Sequence, residues 1–303
     1  MDVRKKTDHC RFCGQGAVKL IYPPTNNTGS LKAGEFSCTN CGFGMHGPIV
    51  KCDLCGMIYS NENLSQERIS TYYEVSQDPL YFAEQEARRK TFEIYLSKLE
   101  KIYPERGKLL DVGTNTGLFV KIARDRGWNA RGLEPNRWAV EFALKNYQID
   151  LINKPFASGV FPENSFDVIT MWDVIEHFAD PVAELKKVCR YLKSGGVLAF
   201  STVDPESPLA RFMGSKWPWY MEMHRVFLSR RTADSYLQRI GFSKVIFRPH
   251  WRRLSLGYLA SRLKAINKKL AAVAQGAIKT FGLPRLIVPY YANDLYDCYA
   301  FKD

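Results

Sequence analysis

No apolar run in this chain of 303 residues approaches the eighteen or so needed to cross a bilayer, which excludes a membrane-spanning helix. A secretion signal is missing as well, because the first twenty residues are polar and basic, and the expected location is the cytoplasm. Acidic residues vanish from one long stretch. Between Ser235 and Asn293 there is no Asp or Glu, while Arg239, Lys244, Arg248, Arg252, Arg253, Arg262, Lys264, Lys268, Lys269, Lys279 and Arg285 fall inside it, eleven cations against a net charge of +12. Glycine is missing where a dinucleotide site needs it. After Gly113 the second and third places of G-x-G-x-x-G are Asn115 and Leu118, which sets hydride transfer aside. No nucleophile, histidine and acid triad stands out, and no helix-turn-helix or RNA-binding signature is present.

What is there begins with cysteine. Six of the eight cysteines fall in Cys10-x-x-Cys13, Cys38-x-x-Cys41 and Cys52-x-x-Cys55, each followed by Gly14, Gly42 or Gly56. A C-x-x-C-G turn places two thiolates and their backbone amides around one metal ion, and two such turns complete a tetrahedral zinc site. Disulfides are the alternative, disfavoured without a secretion signal. Six thiolates exceed one tetrahedral site and fall short of two. Cys189, in a helix, and Cys298, in a terminal strand, read as core residues.

The run Lys108-Leu109-Leu110-Asp111-Val112-Gly113-Thr114-Asn115-Thr116-Gly117 reads as a buried strand breaking into a glycine-bearing turn. A helix from about Leu118 to Arg126 follows, then a second strand, Trp128 to Glu134. Glu134 stands about twenty residues beyond the turn, where a carboxylate accepts both hydroxyls of a ribose. Next come Phe166-Asp167-Val168-Ile169 and Trp172-Asp173-Val174-Ile175-Glu176-His177, and finally Leu192-Lys193-Ser194-Gly195-Gly196 leading into a strand.

In order and spacing these four segments resemble the motifs of class I S-adenosylmethionine-dependent methyltransferases. The chain departs from that pattern at Asn115, where the first motif usually has a glycine, and at Ser194, where a proline is usual. Asparagine tolerates left-handed backbone best after glycine, so the first departure is mild. The resemblance implies an α/β fold: a Rossmann-like, seven-stranded, doubly wound sheet whose last strand, Asp294 to Phe301, is antiparallel. It implies that S-adenosylmethionine is the cofactor and S-adenosylhomocysteine the product. It also places Asp111, Gly113, Thr114, Asn115, Gly117, Glu134, Pro135, Trp172 and Asp173 around the cofactor. Many bacterial methyltransferases carry a small N-terminal zinc ribbon with one C-x-x-C-G near the start and a second just before the enzyme. That likeness selects Cys10, Cys13, Cys52 and Cys55 for zinc, leaving Cys38 and Cys41, with His46 nearby, as alternative or second-site ligands.

The expected division is a zinc ribbon over 1–60, a helical linker or lid over 61–105, and a methyltransferase domain over 106–303 with a basic amphipathic insertion at about 250–285. Tyr72, Tyr73, Tyr81 and Phe82 are expected to wall the pocket. The aromatic loop after the fifth strand supplies Trp217, Trp219 and Tyr220 for the acceptor pocket, with His224 and His177 as candidate catalytic residues; His177 equally suits a backbone hydrogen bond. In the insertion Leu259, Leu263, Ile266, Leu270, Val273 and Ala277 alternate at steps of four and three, the stripe of one basic amphipathic helix. Its partner is an anionic membrane surface, its own protein by self-packing or dimerisation, or, less in keeping with the motifs, nucleic acid. The function expected is methylation, at oxygen, of a small-molecule, sugar or lipid-linked acceptor in bacterial biosynthesis, with location at the inner face of the membrane if the helix binds lipid. The rivals are a zinc-ribbon binding module on a non-catalytic scaffold and a nucleic-acid methyltransferase.

Overall fold

The computed structural model describes residues 9–25, 44–61, 71, 73–74, 76–78, 81, 83–156, 161–263 and 267–303. In chain order its elements are β1 (Val18–Tyr22), β2 (Ile49–Cys52), β3 (Ile58–Ser60), α1 (Gln85–Ile102), β4 (Lys108–Val112), α2 (Leu118–Asp125), β5 (Asn129–Leu133), α3 (Arg137–Tyr147), β6 (Phe166–Trp172), α4 (Pro181–Tyr191), β7 (Leu192–Val203) and α5 (Pro208–Met213). They continue with β8 (Val226–Phe227), α6 (Arg230–Ile240), β9 (Phe242–Pro249), β10 (Arg252–Ser255), α7 (Leu256–Arg262), α8 (Lys268–Thr280), β11 (Ile287–Tyr290) and β12 (Leu295–Lys302).

The central sheet has the order β5-β4-β6-β7-β12-β9. The first four strands are parallel, and β12 runs antiparallel to both β7 and β9. Successive side chains of a strand face opposite ways, and here both faces are apolar. Leu109, Val168, Val197 and Ala199 pack under α1 and α2 with Tyr95, Leu96, Leu99, Phe119 and Val120. Their neighbours Leu110, Ile169, Leu198 and Phe200 pack on the other side with Leu185 and Val188 of α4 and Tyr236 and Leu237 of α6. The sheet is therefore wound on both faces. The cofactor-type crevice lies where such sheets place it, at the carboxyl ends of β4, β5 and β6.

Among the described residues the sheet has six strands rather than seven. The seventh position, outside β5, is held by a single parallel bridge between Leu133 and Ile152. Pro155, three residues on, lacks the N–H that a longer ladder would use.

A second sheet, β1-β2-β3-β8, is built from the N-terminal ribbon and closed by a strand from the C-terminal half, with Ile58 opposite Phe227 and Tyr59 opposite Val226. Trp217, Tyr220 and Phe227 form one core with Ile49 and Ile58 of the ribbon. The basic insertion also departs from expectation. Its stripe is divided between α7 and α8, because Asn267 accepts hydrogen bonds from the amides of Lys269 and Leu270 and starts a new helix there. Lys264 and Ile266 lie outside the described residues. The two-stranded ribbon of β10 and β11 closes the insertion at its base, Arg252 opposite Tyr290.

Candidate functional site

Beyond Val112 the chain turns through Gly113, Asn115 and Gly117 at φ of +68°, +50° and +74°. Asn115 thus takes the left-handed backbone that its position demands. A methyl on Gly113 would stand 2.7 Å from Val174 Cγ2, so this turn accepts no side chain there. Glu134 is fully buried at the end of β5. Its Oε2 accepts from the Asn115 amide at 2.7 Å and its Oε1 from the Asn136 amide at 2.9 Å, and the Tyr73 hydroxyl also reaches it. Burial pushes its carboxyl up to about 7 against the pull of those donors. Asp111, buried one strand over, is likewise raised to about 7, with Thr170 Oγ1 donating to it at 2.6 Å. Thr114 is buried in the turn, and Asn153 donates to the carbonyls of Glu134 and Pro135, which fixes the next one.

The end of β6 supplies Trp172 and Asp173. Trp172 packs against Tyr95, ring centroids 4.7 Å apart, and its buried indole N–H has no hydrogen-bond partner among the described residues. Asp173 has a φ of +56°. Its Oδ1 accepts from Ser201 Oγ at 2.8 Å and its Oδ2 from Arg252 Nη2 at 2.7 Å. Burial alone would raise its carboxyl, but Arg252 and then His250 overcome that and hold it at about 2.

Next to Asp173 stand two imidazoles. His177 Nδ1 lies 3.0 Å from the Met223 carbonyl and His224 Nδ1 2.9 Å from the Trp219 carbonyl. A carbonyl only accepts, so each Nδ1 carries the proton and each Nε2 keeps a lone pair. Their centroids are 5.0 Å apart. Burial holds both below the ordinary histidine value, His224 well below it, aided by His177. Glu176, accepting from Thr202 Oγ1 at 2.9 Å, is pushed up to about 8 by burial and then by Asp173. One ligand atom from each of Glu176, His177 and His224 lies within 4.8 Å of the others, a donor set able to pass a proton or hold a cation.

Of the aromatic residues expected in the acceptor pocket, only Trp219 stands at this wall. It stacks on His224 with ring planes 10° apart and carries Arg252 above its ring. Trp217 and Tyr220 are buried in the core shared with the ribbon, where Trp217 donates to Asp294. The ribbon strands need an apolar surface to pack on, and these two rings provide it. Tyr81 is buried with the Arg88 guanidinium 3.6 Å above its ring, while Tyr72 and Phe82 lie outside the described residues.

Sequence reasoning missed Arg252, His250, Asp297, Tyr95 and Ser201 as parts of this site. His250 Nδ1 meets Asp297 Oδ1 at 2.5 Å, its Nε2 faces Tyr95 and Arg252, and Lys98 closes the far side of Asp297 at 2.6 Å. The only signal was Arg252 among the eleven cations, and nothing local pairs it with Asp173.

In the ribbon, Cys10, Cys13, Cys52 and Cys55 converge. The sulfurs of Cys10 and Cys55 are 3.7 Å apart, as are those of Cys13 and Cys52, and all four lie within 4.8 Å of one another. Four sulfurs each about 2.3 Å from one zinc ion are about 3.8 Å apart, so the cluster has the size of a structural zinc site with four thiolate ligands. Amides of Phe12, Gly16 and Cys55 point at three of the sulfurs at 3.4 Å, and Gly14 and Gly56 take φ of +74° to bring the chain round. Cys38 and Cys41 lie outside the described residues. His46 is no ligand of this cluster: its ring nitrogens face the carbonyls of Gly47 and Ser215.

Residues 84–245 match the family described as the methyltransferase domain. The chain belongs to that family. The chain is 25% identical over 170 residues to a ubiquinone biosynthesis O-methyltransferase of Coxiella burnetii, covering 49% of this chain and 66% of the relative, just under two thirds of its length. It is 27% identical over 181 residues to the biotin biosynthesis bifunctional protein BioHC of Cellvibrio japonicus, covering 56% of this chain and 33% of that one. A solved S-adenosylmethionine-dependent methyltransferase from Archaeoglobus fulgidus shares the fold, with a TM-score of 0.52 at 15% identity over 74% of this chain and 100% of that one.

The chain thus carries a methyltransferase domain, and its crevice fits S-adenosylmethionine. Asp111 and Glu134, two buried carboxyls that form no ion pair among the described residues, suit a ligand that brings hydroxyl donors and positive charge. The unpartnered Trp172 N–H offers a further donor, and the turn at Gly113 has no side chain to obstruct it.

Proposed function

We propose that this methyltransferase acts at an oxygen of a small-molecule, sugar or lipid-linked acceptor, with His224, seconded by His177, at the acceptor. The observation that carries the reading is the pair of neutral imidazoles, each with Nδ1 tied to a carbonyl and Nε2 left to accept a proton, beside the carboxylate of Asp173 at the end of β6. Similarity to a ubiquinone biosynthesis O-methyltransferase supports oxygen as the target.

When bound, S-adenosylmethionine supplies an electrophilic methyl group on a sulfonium, which leaves as a neutral thioether. The residues of this chain then have three tasks. Glu134, with Asp111, Gly113, Thr114, Asn115, Gly117 and Pro135, holds the ribose and orients the donor; Trp172 and Asp173 border the reacting end. Alignment alone contributes roughly 7–11 kcal/mol to such a displacement. His224 Nε2 takes the proton that an attacking hydroxyl must lose, a contribution of about 10²–10⁴-fold. Trp219 and Trp172 exclude water around the transfer, and Tyr73 and Tyr81 belong to a lid over the cofactor. In this reading residues 1–60 are the ribbon, 61–105 the lid segment and 106–303 the catalytic part, whose insertion at 250–285 meets a membrane when the acceptor is lipid-borne.

Transfer of labelled methyl from S-adenosylmethionine to phenolic, sugar and isoprenoid-linked hydroxyl acceptors tests the reading. Label in an ether or ester that is lost with His224→Ala supports it. Label appearing on nitrogen or carbon instead rejects it.

A further inference from the structure

The insertion between β9 and β12 ends in a helix that its own protein hardly covers. Along α8, among the described side chains, only Ala271 is buried. Leu270, Val273, Ala277 and Phe281 recur at steps of three and four, so they share one face, and Leu270 is 52%, Val273 70% and Phe281 74% exposed. Leu283 and Leu286 extend that surface past the helix end, also exposed. Lys269, exposed, flanks the stripe on the same helix, Lys279 and Arg285 are exposed elsewhere on this arm, and the nearest carboxylates in sequence are Asp234 and Asp294.

We propose that this face lies on an anionic lipid surface, with its leucines, Val273 and Phe281 at the boundary between headgroups and acyl chains and the flanking Lys269 near the phosphates. Three occupants were physically open, and the side chains select one. A second copy of the chain would bring the same uncompensated cations face to face. A nucleic acid would match the charge but would find, apart from Phe281, aliphatic side chains where it needs hydrogen-bond donors and stacking rings. A lipid surface of negative charge satisfies both the apolar stripe and the cations.

The arm is tied directly to the catalytic wall. At its base, Arg252 grips Asp173, the Arg253 amide donates to Thr91 Oγ1 at 2.8 Å, and Ser255 Oγ donates to Glu84 at 2.7 Å. Docking therefore sets the acceptor wall at a fixed position over the bilayer. This deepens, and rests on, the proposal of a lipid-borne acceptor.

Cosedimentation with vesicles rich in phosphatidylglycerol, against vesicles of phosphatidylcholine alone, tests it with the full chain. The expected result is binding to the first set, weakened by salt and lowered about tenfold or more by Val273→Glu with Phe281→Glu, while Leu144→Glu, at an exposed leucine of α3, leaves it unchanged. Equal sedimentation with both vesicle types, or no loss in the double variant, overturns it. So does a dimer that the double variant dissociates, or binding to duplex DNA that the same variant abolishes. A calorimetric titration with S-adenosylmethionine runs alongside. Wild type and double variant bind it alike under the proposal, and failure of the wild type to bind would overturn the methyl-transfer reading while leaving the vesicle result to stand on its own.

Discussion

The two sides of the crevice are assembled in opposite ways. On the cofactor side the backbone contacts of the Glu134 carboxyl are local: it takes the amide of Asn115, nineteen residues back, and the amide of Asn136, two residues on, while Tyr73 and the Thr170–Asp111 bond reach further. On the acceptor side Arg252 reaches Asp173 across 79 residues, and His250 meets Tyr95 across 155. The cofactor side is held mainly by β4, β5 and the turns that follow them, with Thr170 of β6 beside Asp111, so its geometry depends less on the rest of the chain. A site made of distant segments depends on the insertion, the sheet edge and the ribbon all being in place.

That contrast can be broken with single substitutions. His224→Ala is expected to lower the rate of transfer by about 10²–10⁴-fold while leaving S-adenosylmethionine affinity within about twofold, as read by single-turnover kinetics and calorimetry. If affinity falls with the rate, the two sides are not separable. Next in size is His250→Ala, which leaves Asp297, fully buried, with Lys98 alone; a stability loss of about 3 kcal/mol in urea unfolding is expected. Glu134→Ala removes the buried carboxyl proposed to accept the ribose hydroxyls, so cofactor affinity should fall by roughly 10–100-fold, or about 1.5–3 kcal/mol, with melting temperature preserved or raised in the absence of cofactor.

The smallest effect is on pH. Burial raises Asp111 and Glu134 to about 7, above their values in an unfolded chain, so the free protein binds more protons than its unfolded form between about 4 and 7. Stability of the free protein from these groups is full at the acid end of that window and declines as pH rises to about 7. Cofactor that engages the ionised carboxylate binds in the opposite sense, tightening by up to about tenfold per pH unit until about 7 and then levelling. Glu134→Gln should flatten that profile; an unchanged slope would mean that Glu134 does not titrate on binding.

The same contrast explains what could be read in advance. Asp111 to Gly117 and Glu134 stand out by hydrophobic periodicity and spacing, which are properties of short windows, while the doubly wound sheet was what the resemblance of the ordered motifs implied. Asn115 at φ +50° is such a case, since the turn demanded a left-handed residue and asparagine supplies one. For the proposed acceptor wall, the sequence placed some side chains correctly in space and others not. His224 and Trp219 stand where the aromatic loop pointed, but Trp217 and Tyr220, equally aromatic and two and one residues away from Trp219, serve the ribbon core instead. Which way a ring in such a loop turns is decided by the surface that packs on it, and that surface comes from residues 49–60. The basic stripe misled for a comparable reason. Its periodicity was continuous, yet one asparagine side chain, by capping two amides, divides it into two helices.

One consequence follows from the pairing of β3 with β8. The strand that closes the ribbon sheet, Val226–Phe227, begins two residues after His224, and Arg225 between them hands its amide to the Glu176 carbonyl and takes the Ser60 amide on its own carbonyl. The cysteine-bearing ribbon and the histidine-bearing wall therefore share a piece of backbone. Neither can be grafted onto a foreign partner as a cassette, and a swap between relatives that exchanges one without the other would misalign a histidine far along the chain from the junction.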